Sequence, residues 1–450
     1  MSAQALVPEK VSLRERLSHR GDRVGMLLSI AERHGDIASM RRFGGLVTAH
    51  FISSAELAHQ VLVDEAPSFV KGYGLSVFAR PLLGNGLLTS EGEFHRRQRR
   101  MMAPAFVHKR IADYATVIAE RTEAATSGWA DGATLDLSSA MMRLTLEVVG
   151  ATLFGAEVGA EAEEIGEALT TAMKQAADSL DSFLPIPPSV PTPGNRRAKE
   201  AVARLDETVY RLIRERRKDG LDRGDFLSML LLAQDEDDGS TMSDLQVRDE
   251  AMNIFLAGHE TTANALAWTF YLLAQHPGAR ARLEREVDEA LGGRAPTLAD
   301  LAKLPYALQV FKEAMRLYPP AFAVARRATR DVQIGRYQLK KNELAIINIL
   351  AMHRRPDYFP EPSRFDPDRF APEAEKAMHR YAYLPFGAGP RVCIGNHFAL
   401  LEGQLAVAAI TQRVRLDPPP GAPRVEPEPM ITLRPKGAMP MKVHRRRASA

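Results

Sequence analysis

Phe386-Gly387-Ala388-Gly389-Pro390-Arg391-Val392-Cys393-Ile394-Gly395 is the stretch on which the reading turns, because it holds the single cysteine of the chain. Glycines on both sides of that cysteine let backbone approach something bulky closely, and the helical pattern over 396–413 aims its positive end back at the sulfur. Both features favour a thiolate. The alternative is a lone cysteine packed as a small hydrophobe, which needs neither the glycines nor Arg391 beside it. Gly387, Gly389 and Val392 miss the third glycine of a dinucleotide loop, and no strand-to-helix unit surrounds them.

Working outward, the 450 residues are enough for a sizeable core, and they read as a single domain over 1–450. Fifty-nine Lys and Arg against 56 Asp and Glu leave a net charge of +3, too little for a surface that binds polyanions as a whole. With one cysteine the chain can build no internal disulfide, thiolate zinc cage or cysteine-held iron–sulfur cluster, so a reducing compartment is expected. No apolar leader is visible, and no run approaches the ~18 apolar residues of a membrane span. The expectation is a soluble, cytoplasmic protein. Apolar residues recur at helical spacing over 111–129, 135–153, 196–217 and 252–273. Strand patterns are confined to a pair near 40–51 and a group in 331–349. The proline-rich stretch 185–193 reads as a stiff loop between two helices, and the acidic stretch 235–250 as a solvated loop and helix start.

Other constellations carry possible chemistry. Ala257-Gly258-His259-Glu260-Thr261-Thr262 lies inside the apolar stretch 252–273. A threonine hydroxyl that bonds to the carbonyl one turn back, beside a glycine, loosens a helix locally and makes room for a small molecule. An adjacent carboxylate can link that room to solvent protons. A zinc-protease helix would need histidine where Ala263 stands, and a plain polar helix face remains the other reading of Glu260 and the threonines. Glu313 and Arg316 share a helical face, which by itself is a surface pair worth a few tenths of a kcal/mol. The basic run His95-Arg96-Arg97-Gln98-Arg99-Arg100 lacks the interleaved aromatics of a nucleic-acid patch.

Phe386, Gly387, Gly389, Arg391, Cys393 and Gly395 together resemble the haem-binding loop of the cytochrome P-450 family, and 257–262 is similar to that family's central-helix motif. The resemblance implies the cytochrome P-450 fold, mainly α with a small β region. It makes Cys393 the metal ligand, the proximal thiolate of the iron in haem b (iron protoporphyrin IX). Cofactor contacts are expected from Ala257, Phe386 and Gly395, and a propionate clamp from His95, Arg99, Arg326 and Arg391. His95 departs from the tryptophan often found at its place. Glu260 and Thr261 take the catalytic role of delivering protons, while Glu313, Arg316 and Arg369 form a buried structural lock. Substrate-pocket positions implied by the same resemblance are Phe78, Leu82, Phe183, Leu184, Phe255, Ala257, Phe322, Val324 and Ile431.

The implied activity is monooxygenation, most simply hydroxylation. Two electrons and two protons split dioxygen, one atom entering an apolar small molecule and the other leaving as water. A fatty acid or similar long apolar substrate is favoured over oxidation of a terpenoid, steroid or polyketide, and a non-catalytic haem-binding protein is the competing class. Only 57 residues follow the cysteine and no flavin or iron–sulfur module precedes it. Electrons are therefore expected from a ferredoxin or flavodoxin with its reductase, docked on arginines of the basic run that the haem does not use. No nucleic acid, no membrane and a monomeric state complete the expectation.

Overall fold

Asp244–Gln275 forms a 32-residue helix that is buried on nearly every side from Val247 to Leu273, polar residues included, which makes it the central element of the fold. Ser243 opens it with a capping box, its hydroxyl accepting the Gln246 N–H while the Gln246 side chain accepts the Ser243 N–H. Helices Leu137–Leu153, Pro193–Asp219, Pro305–Leu317 and Asn396–Arg413 pack around it. The computed structural model describes residues 6–155, 162–182 and 185–446. Helices take 57% of the described residues and strands 13%, so the mainly α expectation holds. Among the described residues no helix is long and apolar enough to cross a membrane.

The larger sheet has six strands in the order Glu9–Lys10, Ile37–Arg42, Val47–Ile52, Leu344–Ile347, Val324–Ala328, Phe69–Lys71. Its last pair is antiparallel and sets Lys71 opposite Arg326. A three-stranded sheet joins Val414–Asp417, Pro440–Arg445 and Thr134–Asp136, and two hairpins complete the β structure. One hairpin, Pro427–Pro429 with Leu433–Pro435, returns near the central helix. The proline-rich stretch behaves as expected from its chemistry: Pro193 takes the first turn of Pro193–Asp219, capped by Thr192.

The acidic stretch forms the expected exposed loop, with Glu236, Asp237 and Asp238 in solvent, and the expected helix start at Asp244, but three of its carboxylates are not solvated. Asp235, Asp249 and Glu250 are buried. Asp235 accepts from Arg97 Nε and Arg100 Nη2, each at 3.0 Å. Asp249, Glu250 and Asn253, all on the central helix, accept the backbone N–H groups of Asn85, Leu87 and Leu88 at 2.7–2.8 Å. Gly84, at φ 58°, and Gly86 lie so close to this row that a Cβ on either would run into Asp249 or Asn253. Two buried carboxyl groups and the Asn253 amide thus replace water as partners for loop 83–88, which leads into the helix Gly92–Met102 that carries His95.

Glu313 and Arg316 are fully buried and meet through two N–H to carboxylate bonds of 2.7 Å. Burial pushes the Glu313 carboxyl up, and bonds from Arg316 and the Asp366 N–H pull it back. Arg316 also donates to the carbonyls of His353, Pro362 and Arg364. Arg369 joins less closely: its Nε is 3.6 Å from Glu313 and makes no hydrogen bond, while its Nη2 holds the Glu361 carbonyl. His353 carries the connection onward, because its Nε2 accepts the N–H of Leu384 at 2.9 Å, just before the cysteine loop. Burial and Arg316 hold this imidazole's pKa at about 3, so it is neutral and can accept there. We expect Glu313→Leu to cost about 3–5 kcal/mol in urea unfolding, because it strands a buried guanidinium, and Arg369→Leu to cost distinctly less.

Candidate active site

Cys393 sits on a loop closed by Cys393 N–H to the Phe386 carbonyl (3.0 Å) and Val392 N–H to the Gly389 carbonyl (3.0 Å). Gly387 and Gly389 both have φ 68°, the left-handed region that glycine enters freely, and a Cβ at Gly389 would collide with the Leu62 carbonyl oxygen. The helix Asn396–Arg413 starts three residues later and is packed closely by Phe311, whose ring fills the space a Cβ at Gly403 would need. Cys393 is accessible to solvent, yet surrounding protein desolvates its thiol and pushes its pKa up. The Gly395 N–H and Arg99 pull the other way. Spacing alone suggested a thiolate; in the fold, desolvation outweighs both of those effects, so a positive partner is needed to draw the proton off.

Around this loop the fold collects Lys71, His95, Arg99, Arg326 and Arg391. Arg99 donates to the Val392 carbonyl at 2.8 Å, one residue from the sulfur. Arg391 donates to the Ser90 carbonyl at 3.0 Å and pairs with Glu91. Lys71 is buried, its Nζ bonded to the carbonyls of Leu87 (2.6 Å) and Ser90 (3.1 Å). All five are displaced toward their uncharged forms, in each case first by desolvation. Lys71 comes down to about 7, with Arg391 adding repulsion, and Arg326 to about 10, again with Arg391 opposing. His95 falls to about 3 under desolvation and the repulsion of Arg391, Lys71, Arg99 and Arg326. Arg99 and Arg391 are lowered too. Glu91 is the carboxylate that pairs directly with the group. With His95 neutral, the four cations Lys71, Arg99, Arg326 and Arg391 still have little counter-charge beside them, an arrangement built for an anion, and guanidinium forks suit carboxylates. Together with the accessible thiol, it fits an iron porphyrin bearing two carboxylates.

The central helix presents its own opening. From 247 to 273 every residue is buried except Ala257, Gly258 and Thr261, which share one face. Accessible positions in the middle of so buried a helix border an internal space. The Thr261 hydroxyl donates to the Ala257 carbonyl at 2.6 Å, the back-bond its position suggested, though the helix continues unbroken. Glu260 is turned away from that face. Burial raises its pKa, and its Oε1 accepts the hydroxyl proton of Thr432. His259 is fully buried with Nδ1 on the Phe255 carbonyl (3.0 Å), and its pKa falls to about 4 by desolvation.

Other expected positions divide. Phe78, Leu82 and Phe322 are buried, while Val324 and Ile431 are partly accessible. Phe255 is stacked on Phe154, centroids 4.0 Å apart, and lines a small apolar void with Ile165, Leu169 and Met252, so it packs helices together instead of facing the open stripe. Phe183 and Leu184 lie outside the described residues. The arginines expected to dock a redox partner are engaged within the chain: Arg97 and Arg100 hold the acidic loop and Arg96 pairs with Glu93. Lys71, Glu91, His353 and Glu402 escaped the sequence reading, since each is an isolated residue whose partners are far away in the chain. Glu402, on the helix after the cysteine, is buried with neither oxygen in a well-formed hydrogen bond; Thr262 of the central helix lies against it, and burial pushes its pKa up to about 8.

A family model described as Cytochrome P450 matches residues 17–441. Cyclooctatin synthase and cyclooctat-9-en-7-ol 5-monooxygenase, both from Streptomyces melanosporofaciens, are each 41% identical, covering 89% and 86% of this chain and 87% and 84% of their own lengths. Pentalenene oxygenase from Streptomyces avermitilis is 34% identical over 90% of this chain and 89% of its own. The crystal structure of the cytochrome P450DA heme domain superposes with a TM-score of 0.89 at 28% identity, covering 99% of both chains.

Glu402 generates a prediction with a definite sign. Its folded pKa is raised above the ordinary carboxyl value, so the folded state holds a proton that the unfolded state releases as pH rises from about 4.5 toward about 8. Stability of the wild type should therefore fall relative to Glu402→Gln across that window, by at most about 1.4 kcal/mol per pH unit. Urea unfolding of both proteins at pH 5 and pH 8 measures the gap, which should open at the higher pH.

Proposed function

The chain belongs to the cytochrome P450 family and is a monooxygenase, and from that premise we propose that it inserts one oxygen atom into a terpenoid, with haem b as its cofactor and separate electron-transfer proteins as its reductants. The observation that carries the reading is the pairing of an accessible Cys393 thiol amid clustered cations with the accessible stripe Ala257, Gly258 and Thr261 of an otherwise buried helix. The relatives' names support a terpenoid in place of the fatty acid favoured from the motifs, because those motifs grip haem and oxygen and leave substrate unspecified. Relatives named as a monooxygenase and an oxygenase set aside the non-catalytic alternative.

Cys393 would ligate the iron, Arg99, Arg326 and Arg391, with Lys71 beside them, would neutralise the two carboxylates, and the neutral His95 would donate a hydrogen bond to one of them. Haem supplies the redox chemistry that divides dioxygen between substrate and water. Thr261 keeps a hydroxyl proton at the open stripe, now spent on the Ala257 carbonyl and available by rotation about its side-chain bond. Glu260, raised by burial, can hold a proton nearer neutral pH than an exposed carboxyl and act as the next carrier. Apolar residues such as Phe78, Leu82 and Phe322 would give a substrate little to hydrogen-bond and much to pack against.

Titrating the haem-loaded protein with cyclic terpene hydrocarbons and alcohols, and in parallel with long-chain fatty acids, tests the substrate class. A saturable change in the haem spectrum is expected with terpenoids; a response to fatty acids alone would overturn it. Thr261→Ala should retain substrate binding but form several-fold less product per electron consumed, the balance leaving as peroxide. Unchanged product per electron would remove Thr261 from the proton path.

A further inference from the structure

Glu260 and Thr261 are neighbours in sequence but do not meet in space. Thr261 spends its proton on the Ala257 carbonyl, and the Glu260 carboxyl reaches instead to Thr432, at the tip of the hairpin made by Pro427–Pro429 and Leu433–Pro435. Asn264, one helical turn beyond Glu260, donates its side-chain N–H into the same Thr432 oxygen at 3.2 Å. A threonine hydroxyl has one proton to give, and with an oxygen lone pair taken by Asn264 that proton is directed to Glu260. Arg434, two residues further along the strand, adds attraction for the charged carboxylate.

We infer that Thr432 is a positioning residue that latches the Glu260 carboxyl away from the open stripe, so that proton delivery requires this bond to break. The inference rests on the reading of Glu260 as a proton carrier. The latch is well founded in the fold. The tip closes on itself through Met430 N–H to the Thr432 carbonyl (2.9 Å), and Leu433 N–H holds the Pro320 carbonyl (2.9 Å) two residues before Phe322. Ile431, beside Thr432, packs partly buried against the main core. The element that holds the acid is therefore also the element expected to form part of the substrate-pocket wall.

The test compares wild type, Thr432→Val, Thr432→Ser and Glu260→Gln as haem-loaded proteins. Infrared spectroscopy gives a readout independent of turnover: the protonated-carboxyl band lost in Glu260→Gln identifies Glu260. Thr432→Val should move that band to higher frequency and raise the pH at which it titrates, because a donor to the charged form is gone. Thr432→Ser should leave both near wild type. With a ferredoxin and its reductase but no substrate, Thr432→Val should consume electrons several-fold faster than wild type, and adding Glu260→Gln should abolish the increase. A band in Thr432→Val that is unmoved overturns the latch. So does an unchanged electron consumption in a background where Glu260→Gln lowers it. If Glu260→Gln alters neither consumption nor product per electron, it is the proton-carrier reading that fails, and the infrared comparison still decides whether Thr432 holds the acid.

Discussion

Charge without a counter-charge is the constraint around which this molecule is organised. Lys71, His95, Arg99, Arg326 and Arg391 converge near one thiol with Glu91 as the directly paired carboxylate, and each is driven toward its uncharged form first by desolvation, with repulsion from Arg391 adding to it at Lys71, His95 and Arg326. Bringing cations together in a partly dry place is costly, and the cost is recovered only when anionic groups arrive. The same argument applies to Cys393, whose desolvated thiol becomes a good ligand once a metal stabilises the thiolate. A ferric porphyrin with two carboxylates, bound as proposed, would answer both demands at once.

Holding these groups in place is the work of two buried polar chains. One runs from the Glu313–Arg316 pair through the neutral His353 to Leu384 and the cysteine loop. The other runs from Asp249, Glu250 and Asn253 on the central helix to the backbone of loop 83–88, then to the helix carrying His95 and Arg99. Each fixes loop backbone by hydrogen bonds that water cannot compete for, which is how an irregular segment acquires the precision of a helix.

Much of this was legible in the residues. Long helices announce themselves by spacing, as in 111–129 against the observed His108–Ser127, and the pair Ile37–Arg42 and Val47–Ile52 falls where alternation placed it. The loop and central-helix motifs are contiguous, so their residues could be named before the fold was known. Strand Val324–Ala328 was not legible, because its two adjacent arginines break the alternation: Arg326 lies with Arg391 and Glu91 beside the cysteine loop, while Arg327 donates to Asn342. The acidic stretch is the exposed loop and helix start its composition suggests, but its buried members were not legible: the arginines that cover Asp235 lie 135 and 138 residues away. Lys71, His353 and Glu402 gave no signal at all, since a single titratable residue acquires meaning only from its three-dimensional neighbours.

The central claim is that Cys393 would ligate the iron of a bound porphyrin. Reducing the haem-loaded protein under carbon monoxide, for wild type and Cys393→Ser side by side, tests it most directly. The account predicts the strongly red-shifted thiolate-type band in the wild type and its loss in the serine variant whether or not haem is retained. The same band in both proteins would contradict it.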